Sequence, residues 1–95
     1  METRLLVFDD GNGADLDLRA FVDSLDENAE MIELDAHVCF VRSGLSVSEL
    51  SNRFIPFAGS RLFFITEIPS SEFGGRMPGV YWDFIKNKSL ASAAE

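Results

Sequence analysis

Four aspartates near the amino terminus are the residues of this sequence best suited to metal chemistry, namely Asp9, Asp10, Asp15 and Asp17. Hard divalent cations need several oxygen ligands, and carboxylates at a strand end and a helix start can supply them. A local interpretation competes with this one, because Asp15 or Asp17 can cap the following helix and Asp10 can stabilise a turn. We favour the local interpretation and keep Asp9 and Asp10 as the candidate metal ligands.

The other reactive side chains are one histidine, His37, and one cysteine, Cys39. A single histidine cannot build a histidine-based metal cluster or a catalytic triad within one chain. A single cysteine cannot form an intrachain disulfide or a thiolate metal site, which suits a reducing compartment. Cys39 lies in an apolar run, where a thiol behaves as a small hydrophobic group. We therefore expect neither residue to carry chemistry.

Composition and charge narrow the class of protein. The chain has 95 residues, of which 46% are hydrophobic, and this fits one globular domain rather than a disordered chain. It has neither an apolar run long enough to cross a membrane nor the basic start of a signal peptide, so the expected location is cytoplasmic. Sixteen acidic residues against eight basic ones give a net charge of -8. This charge disfavours nucleic acid as a partner but does not forbid a local basic patch.

A strand, helix, strand unit lies at the centre of the chain. Ser46 and Glu49 form a capping box, which predicts a helix that starts at Ser46. The apolar positions that follow are spaced as one stripe along a helix; they are Val47, Leu50, Phe54 and Phe57. Because Ile55 precedes Pro56, we expect the helix to end or kink near Ile55. Gly59 supplies the turn.

The remaining elements follow from the same kind of pattern. Short apolar runs predict strands over residues 4–9, 38–41 and 62–65, and alternation predicts an edge strand over residues 30–34. The three apolar runs have apolar residues at both odd and even positions. This pattern predicts that both faces of the sheet are covered and that the first strand is central. An apolar stripe of Leu18, Phe21, Val22 and Leu25 predicts a helix after the aspartates. Residues 80–87 predict a short helix, and we expect residues 89–95 to fray.

The order of these elements predicts an α+β domain over residues 1–88. It is the βαββαβ arrangement of ferredoxin-like domains, with two helices on one face of the sheet and a short C-terminal helix in addition. Two helices cover only one face, so the apolar second face needs a partner. We therefore predict a homodimer through the exposed sheet face, with aromatic residues of the segment 80–85 near its edge.

Several segments also resemble a known family. They are VFDD at the end of the first strand, LDAHVCFV at the third, the helix LSVSEL and the strand RLFFITEI. In this order they resemble the CRISPR-associated endoribonuclease-like superfamily, which includes VapD-type toxins and small SinR-like proteins. The Gly-containing loop and Trp-containing helix of residues 74–86 are most similar to the SinR-like subgroup.

The resemblance implies a ferredoxin-like fold, a homodimer and metal-dependent nuclease activity in some members. The aspartate linked to metal in the nuclease members matches Asp9, but those members usually have Tyr where this chain has Phe8, and an apolar residue where it has Asp10. We therefore expect a binding or regulatory module with a possible protein partner. The alternative is an endoribonuclease that uses Mg²⁺ or Mn²⁺ at Asp9 of each subunit.

Overall fold

The computed structural model describes residues 2–11, 15–68 and 74–86. Within these ranges the chain forms a four-stranded sheet and three helices. The elements are β1 (Glu2–Phe8), α1 (Leu18–Asp23), β2 (Glu30–Asp35), β3 (Val38–Ser43), α2 (Val47–Ala58), β4 (Phe63–Glu67) and α3 (Gly79–Ile85). All strand pairs are antiparallel, in the order β2-β3-β1-β4. The predicted α+β class, the central position of β1 and the edge position of β2 are confirmed.

One face of the sheet, which we term the helical face, packs against α1 and α2. Alternate residues of β1 and β3 point to it, among them Leu6 and Cys39, and each is at most 1% exposed. Phe54 of α2 is fully buried at the centre of this core, with its ring centroid 4.9 Å from that of Phe21 and 4.9 Å from that of Phe63. Both contacts are edge-to-face, the arrangement that aromatic pairs favour. This core therefore joins α1, α2 and β4.

Helices α1 and α2 each begin at a residue that the sequence offered as a cap. The Ser46 hydroxyl accepts a hydrogen bond from the Glu49 amide at 3.1 Å, and the Glu49 carboxylate accepts one from the Ser46 amide at 3.0 Å. The two hydrogen bonds of the capping box at the start of α2 are therefore confirmed. Asp17 rather than Asp15 caps α1, since its carboxylate accepts from the Ala20 amide at 2.9 Å.

We expected an end or a kink of α2 near Ile55, and the end there is wrong. The helix continues through Pro56 to Ala58, and Gly59 ends it with φ of 65°. Proline removes one hydrogen bond from a helix, but packing of the last turn can outweigh that loss. Ala58 is 1% exposed, and Phe57 lies 5.7 Å from Phe21 between ring centroids. The core thus holds a turn that local sequence preferences disfavour.

The second face of the sheet is partly covered by α3. Phe84 of this helix is fully buried and packs with Ile85 against Phe40 of β3. The Tyr81 hydroxyl donates to the backbone oxygen of Glu33 in β2 at 3.0 Å. The predicted C-terminal helix is therefore present as Gly79–Ile85, and it lies mainly over β2 and β3, while its last turn reaches Thr3 of β1. The predicted frayed tail, residues 89–95, lies outside the described residues.

Within one subunit the second face of the fourth strand stays open, and this is the face that we predict a partner to cover. Leu62 is 78% exposed and Phe64 is 63% exposed. The physical reason is that β4 lies at the sheet edge, while α3 lies over the opposite half of the second face. No helix among the described residues is both long and apolar enough to span a membrane.

Candidate functional site

The carboxylate of Asp9 ties the end of β1 to the segment that leads into β4. Its Oδ1 accepts a hydrogen bond from the Gly11 amide at 2.9 Å, and its Oδ2 accepts one from the Leu62 amide at 3.1 Å. The Asp9 amide in turn donates to the Leu62 carbonyl at 3.0 Å. Each carboxylate oxygen therefore serves a backbone amide, which gives Asp9 a structural role at the position predicted for a metal ligand.

Gly11 completes this turn because no side chain fits there. Its φ is 59°, a left-handed value that favours glycine. A Cβ atom at this position would lie 2.8 Å from Cγ of Arg61, which is itself 8% exposed. Asp9, Gly11 and Arg61 are thus packed as one loop assembly at the strand end.

The structure separates the roles of the predicted acidic cluster. Asp17 caps α1, while Asp10 and Asp15 are exposed. Over residues 2–11, 15–68 and 74–86, no three or more His, Cys, Asp or Glu side chains are grouped so that they could hold an ion. Asp9 and Asp10 therefore stand at the strand end without a third ligand from the described part of the chain.

His37 and Cys39 flank the same end of the sheet. The His37 carbonyl accepts from the Phe8 amide at 3.1 Å, and the two rings meet edge to face at 6.0 Å between centroids. Cys39 is fully buried, and desolvation, aided by the negative charge of Glu33, raises the pKa of its thiol to about 12. A thiol that stays protonated at neutral pH is a poor nucleophile. The predicted burial of Cys39 is confirmed.

A buried arginine anchors α3, and the sequence patterns did not identify it. Arg42 is 3% exposed, and its Nη1 donates to the Phe84 carbonyl at 2.9 Å. Its guanidinium carbon lies 4.3 Å from the centroid of the Phe84 ring. Nε and Nη2 of Arg42 both donate to Glu30, which lies directly opposite on β2. A charge-assisted network of this kind holds the last turn of α3 to the sheet.

Thr3 reinforces this anchor from the neighbouring strand. It lies opposite Arg42 in the β1 and β3 register, and its hydroxyl is within 3.3 Å of the Phe84 carbonyl and 3.4 Å of the Ile85 carbonyl. These are backbone oxygens in the last turn of a helix, where carbonyls lack the regular intrahelical donor four residues further on. The signal in the sequence was an arginine after an apolar strand, but its pairing with Glu30 depends on a register that the sequence does not state.

The half of the second face that α3 leaves open carries three exposed apolar side chains. We term it the β4 corner, and it consists of Val7, Leu62 and Phe64, which are 36%, 78% and 63% exposed. Val7 and Phe64 are cross-strand partners, and Leu62 precedes Phe64 by two residues, so alternation directs all three to one side. Adjacent exposed apolar groups of this size mark interaction surfaces more often than isolated ones do.

The β4 corner is thus the candidate binding surface, and the loop of Asp9 borders it through Leu62. Comparisons of the chain with protein-family models, with curated proteins and with solved structures find no match. The function has to be argued from this geometry.

Proposed function

We propose that the protein is a small cytoplasmic homodimer that acts as a binding or regulatory module, similar in kind to the SinR-like proteins. The observation that carries this proposal is the β4 corner, where Leu62 and Phe64 expose most of their surface on a sheet. Water contact with these side chains is unfavourable, and a second subunit that covers them recovers the hydrophobic free energy. A different protein partner would gain in the same way.

The ferredoxin-like fold belongs to this proposal. The order of the first six elements is βαββαβ, and α1 and α2 contribute to one core on the same face of the sheet. In such an arrangement each strand, helix, strand crossover skips one position in the sheet, which leaves β1 and β3 in the middle. The strand order supports this assignment, and α3 is an addition to it.

The proposed dimer uses the open half of the sheet face rather than the whole of it. Because α3 lies over β2 and β3, two copies cannot bring their entire second faces together without removing it. An interface that centres on Phe64 has sheet residues at its centre. The start of α3 lies beside β2, at the other edge of the sheet, so this end of the helix does not border Phe64.

Sedimentation equilibrium between about 1 and 100 µM tests the proposal. A homodimer has twice the chain mass of 10.6 kDa. A mass of one chain over the whole concentration range would refute the homodimer and leave a different protein as the partner of the β4 corner.

The alternative is a metal-dependent endoribonuclease with Asp9 of each subunit at the dimer interface. Two observations favour Asp9 for this role: it is exposed at the end of β1, and its neighbour in space, Leu62, belongs to the β4 corner. A carboxylate oxygen has a second lone pair, so an ion could share it with the backbone amides. Asp10 would be the second ligand, for Mg²⁺ or Mn²⁺.

A cleavage assay on RNA with both metals separates this alternative from the module. Asp9→Asn is the informative variant because it retains the size of the side chain while it removes the charge. Cleavage by the wild type that this variant abolishes would support the nuclease. Equal lack of cleavage by both proteins would refute it.

A further inference from the structure

The outer side of β4 presents a row of backbone groups whose direction follows from two hydrogen bonds. The Leu62 carbonyl accepts from the Asp9 amide, and the Ile68 amide donates to the Thr3 carbonyl, so both residues direct polar groups toward β1. In an antiparallel ladder this direction alternates along the strand. The residues between them with odd numbers, Phe63, Ile65 and Glu67, therefore direct their amides and carbonyls away from the sheet.

The two edges of the sheet differ in how they discourage pairing with another strand. β2 has three acidic residues, Glu30, Glu33 and Asp35, and an irregularity in its register between the last two. The Tyr81 hydroxyl also occupies the Glu33 carbonyl. Charges, bulges and covered backbone groups are devices that block edge pairing. β4, with the sequence FFITE, has one charged residue and no proline.

We propose that β4 of one copy pairs antiparallel with β4 of a second copy, so that the dimer contains one continuous eight-stranded sheet. This inference rests on the proposed homodimer and specifies how its two subunits meet. With a two-fold axis through an antiparallel strand pair, every contact from the first copy to the second also occurs from the second to the first, as a symmetric dimer requires. The axis passes beside Phe64.

The exposed side chains and the charge of Glu67 favour a register with the axis at Phe64 over one with the axis at Ile65. With the axis at Phe64, the two Phe64 rings lie directly opposite each other on the second face, and Leu62 of each copy lies diagonal to the ring of the other. Outward-facing Ile65 then pairs with Phe63, which supplies the ladder hydrogen bonds. An axis at Ile65 would instead separate the two Phe64 rings and put the charge of Glu67 opposite the apolar Phe63.

The size and charge of this interface predict its strength. One short strand and three apolar side chains per copy lie at the low end of interface sizes, below about 1,200 Å² in total, which fits a dissociation constant in the micromolar range. Each copy has a net charge of -8, so the two copies repel each other. Salt screens this repulsion, and the dimer should tighten as ionic strength rises.

Cross-linking through Phe64→Cys tests the register. Directly opposed residues of a non-hydrogen-bonded pair have Cα atoms about 4.5 Å apart, within the range of a disulfide. Oxidation should therefore give a covalent dimer, and native Cys39 does not interfere because it is fully buried. Ile55→Cys is the matched control, since Ile55 is 55% exposed but lies on α2. It should remain monomeric on the gel.

Glu67→Pro tests the edge by a second route. It removes an outward amide without removing a hydrogen bond to β1, which an edge strand tolerates. We expect its dimer to weaken at least tenfold, whereas Glu67→Ala, which keeps the amide, should remain within threefold of the wild type. If the wild type sediments as a dimer but Phe64→Cys does not cross-link and Glu67→Pro dimerises normally, the edge pairing is wrong and the homodimer stands. If the wild type sediments as a monomer, the homodimer itself is wrong.

Discussion

The guanidinium of Arg42 donates a 2.9 Å hydrogen bond to the carbonyl of Phe84, and it lies over the ring of the same residue. Arg42 of β3 thus contacts both the backbone and the side chain of Phe84 in α3. Because this contact fixes α3 over the β2 and β3 half of the second face, it also determines that the β4 corner is the half left open.

Arg42→Ala should detach α3. The substitution removes the donor to a buried carbonyl and the partner of Glu30, and losses of this kind cost about 2–4 kcal/mol of unfolding free energy. Trp82, the one tryptophan of the chain, is half-buried and its Nε1 donates to Met77. Its fluorescence should shift to longer wavelength. Arg53→Ala is the control: Arg53 is exposed and also donates to a carbonyl, that of Ser24, so its removal should cost less than about 1 kcal/mol.

Asp9→Ala should lower stability in the absence of any metal. Two backbone amides lose their acceptors, and each such loss is worth about 1 kcal/mol at a solvent-exposed site. Chemical denaturation in buffer with a chelator measures the effect. Asp15, an exposed aspartate a few residues further along the chain, serves as the control. Asp15→Ala should change the denaturation midpoint little. Full wild-type stability of Asp9→Ala would contradict the structural role.

Ser46→Ala should destabilise the protein by about 1 kcal/mol because the hydroxyl satisfies the Glu49 amide at the start of α2. The matched control is Ser48→Ala, since Ser48 is exposed inside the same helix and alanine is the better helix former there. A urea midpoint that is the same for Ser46→Ala and wild type would contradict the cap.

Stability should fall in acid partly through Asp26. Desolvation acts to raise the pKa of this carboxyl, but hydrogen bonds from the Ser43 hydroxyl and from nearby backbone amides outweigh it, and the pKa is lowered. A folded-state pKa below the unfolded one contributes stability above the unfolded pKa, about 3.9, and that stability is lost as pH falls through the folded value.

Urea midpoints at pH 6, 4 and 3 measure this loss. Asp26→Asn should be less stable than wild type at pH 6 and should lose less on acidification. Ser43→Ala removes the strongest donor to Asp26 and should reduce the pH dependence in part. An Asp26→Asn variant with the full acid sensitivity of the wild type would show that other groups are responsible.

Much of the fold was predictable because the signals were local. The capping box at Ser46 and the stripe from Leu18 to Leu25 both specify neighbours within one or two turns. The structure uses the capping box at the start of α2, and α1 buries the stripe as far as Val22, while Leu25 is buried just beyond its end. The continuation of α2 through Pro56 was not predictable, because Pro56 opposes a last turn that the burial of Ala58 in the core stabilises.

The candidate site depended on contacts between residues far apart in sequence. The sequence marked Asp9 as a candidate metal ligand, but its partner Leu62 lies 53 residues away, so the sequence could not show that the carboxylate serves backbone amides. Apolar residues at both odd and even positions of β4 predicted a second face that a partner covers. The sequence could not show that α3 leaves Phe64 open, because only the strand order determines which strands lie beside α3.

The most direct test of the account is the dissociation constant of the dimer for Phe64→Lys, measured by sedimentation beside wild type and Ile55→Lys. Both variants replace an exposed apolar residue with the same charge, one at the β4 corner and one on α2. We predict a dimer of about 21 kDa, twice the chain mass of 10.6 kDa, for wild type and Ile55→Lys at 100 µM. Phe64→Lys should remain a monomer. Equal dimerisation of all three proteins would contradict the assignment of the β4 corner as the interface.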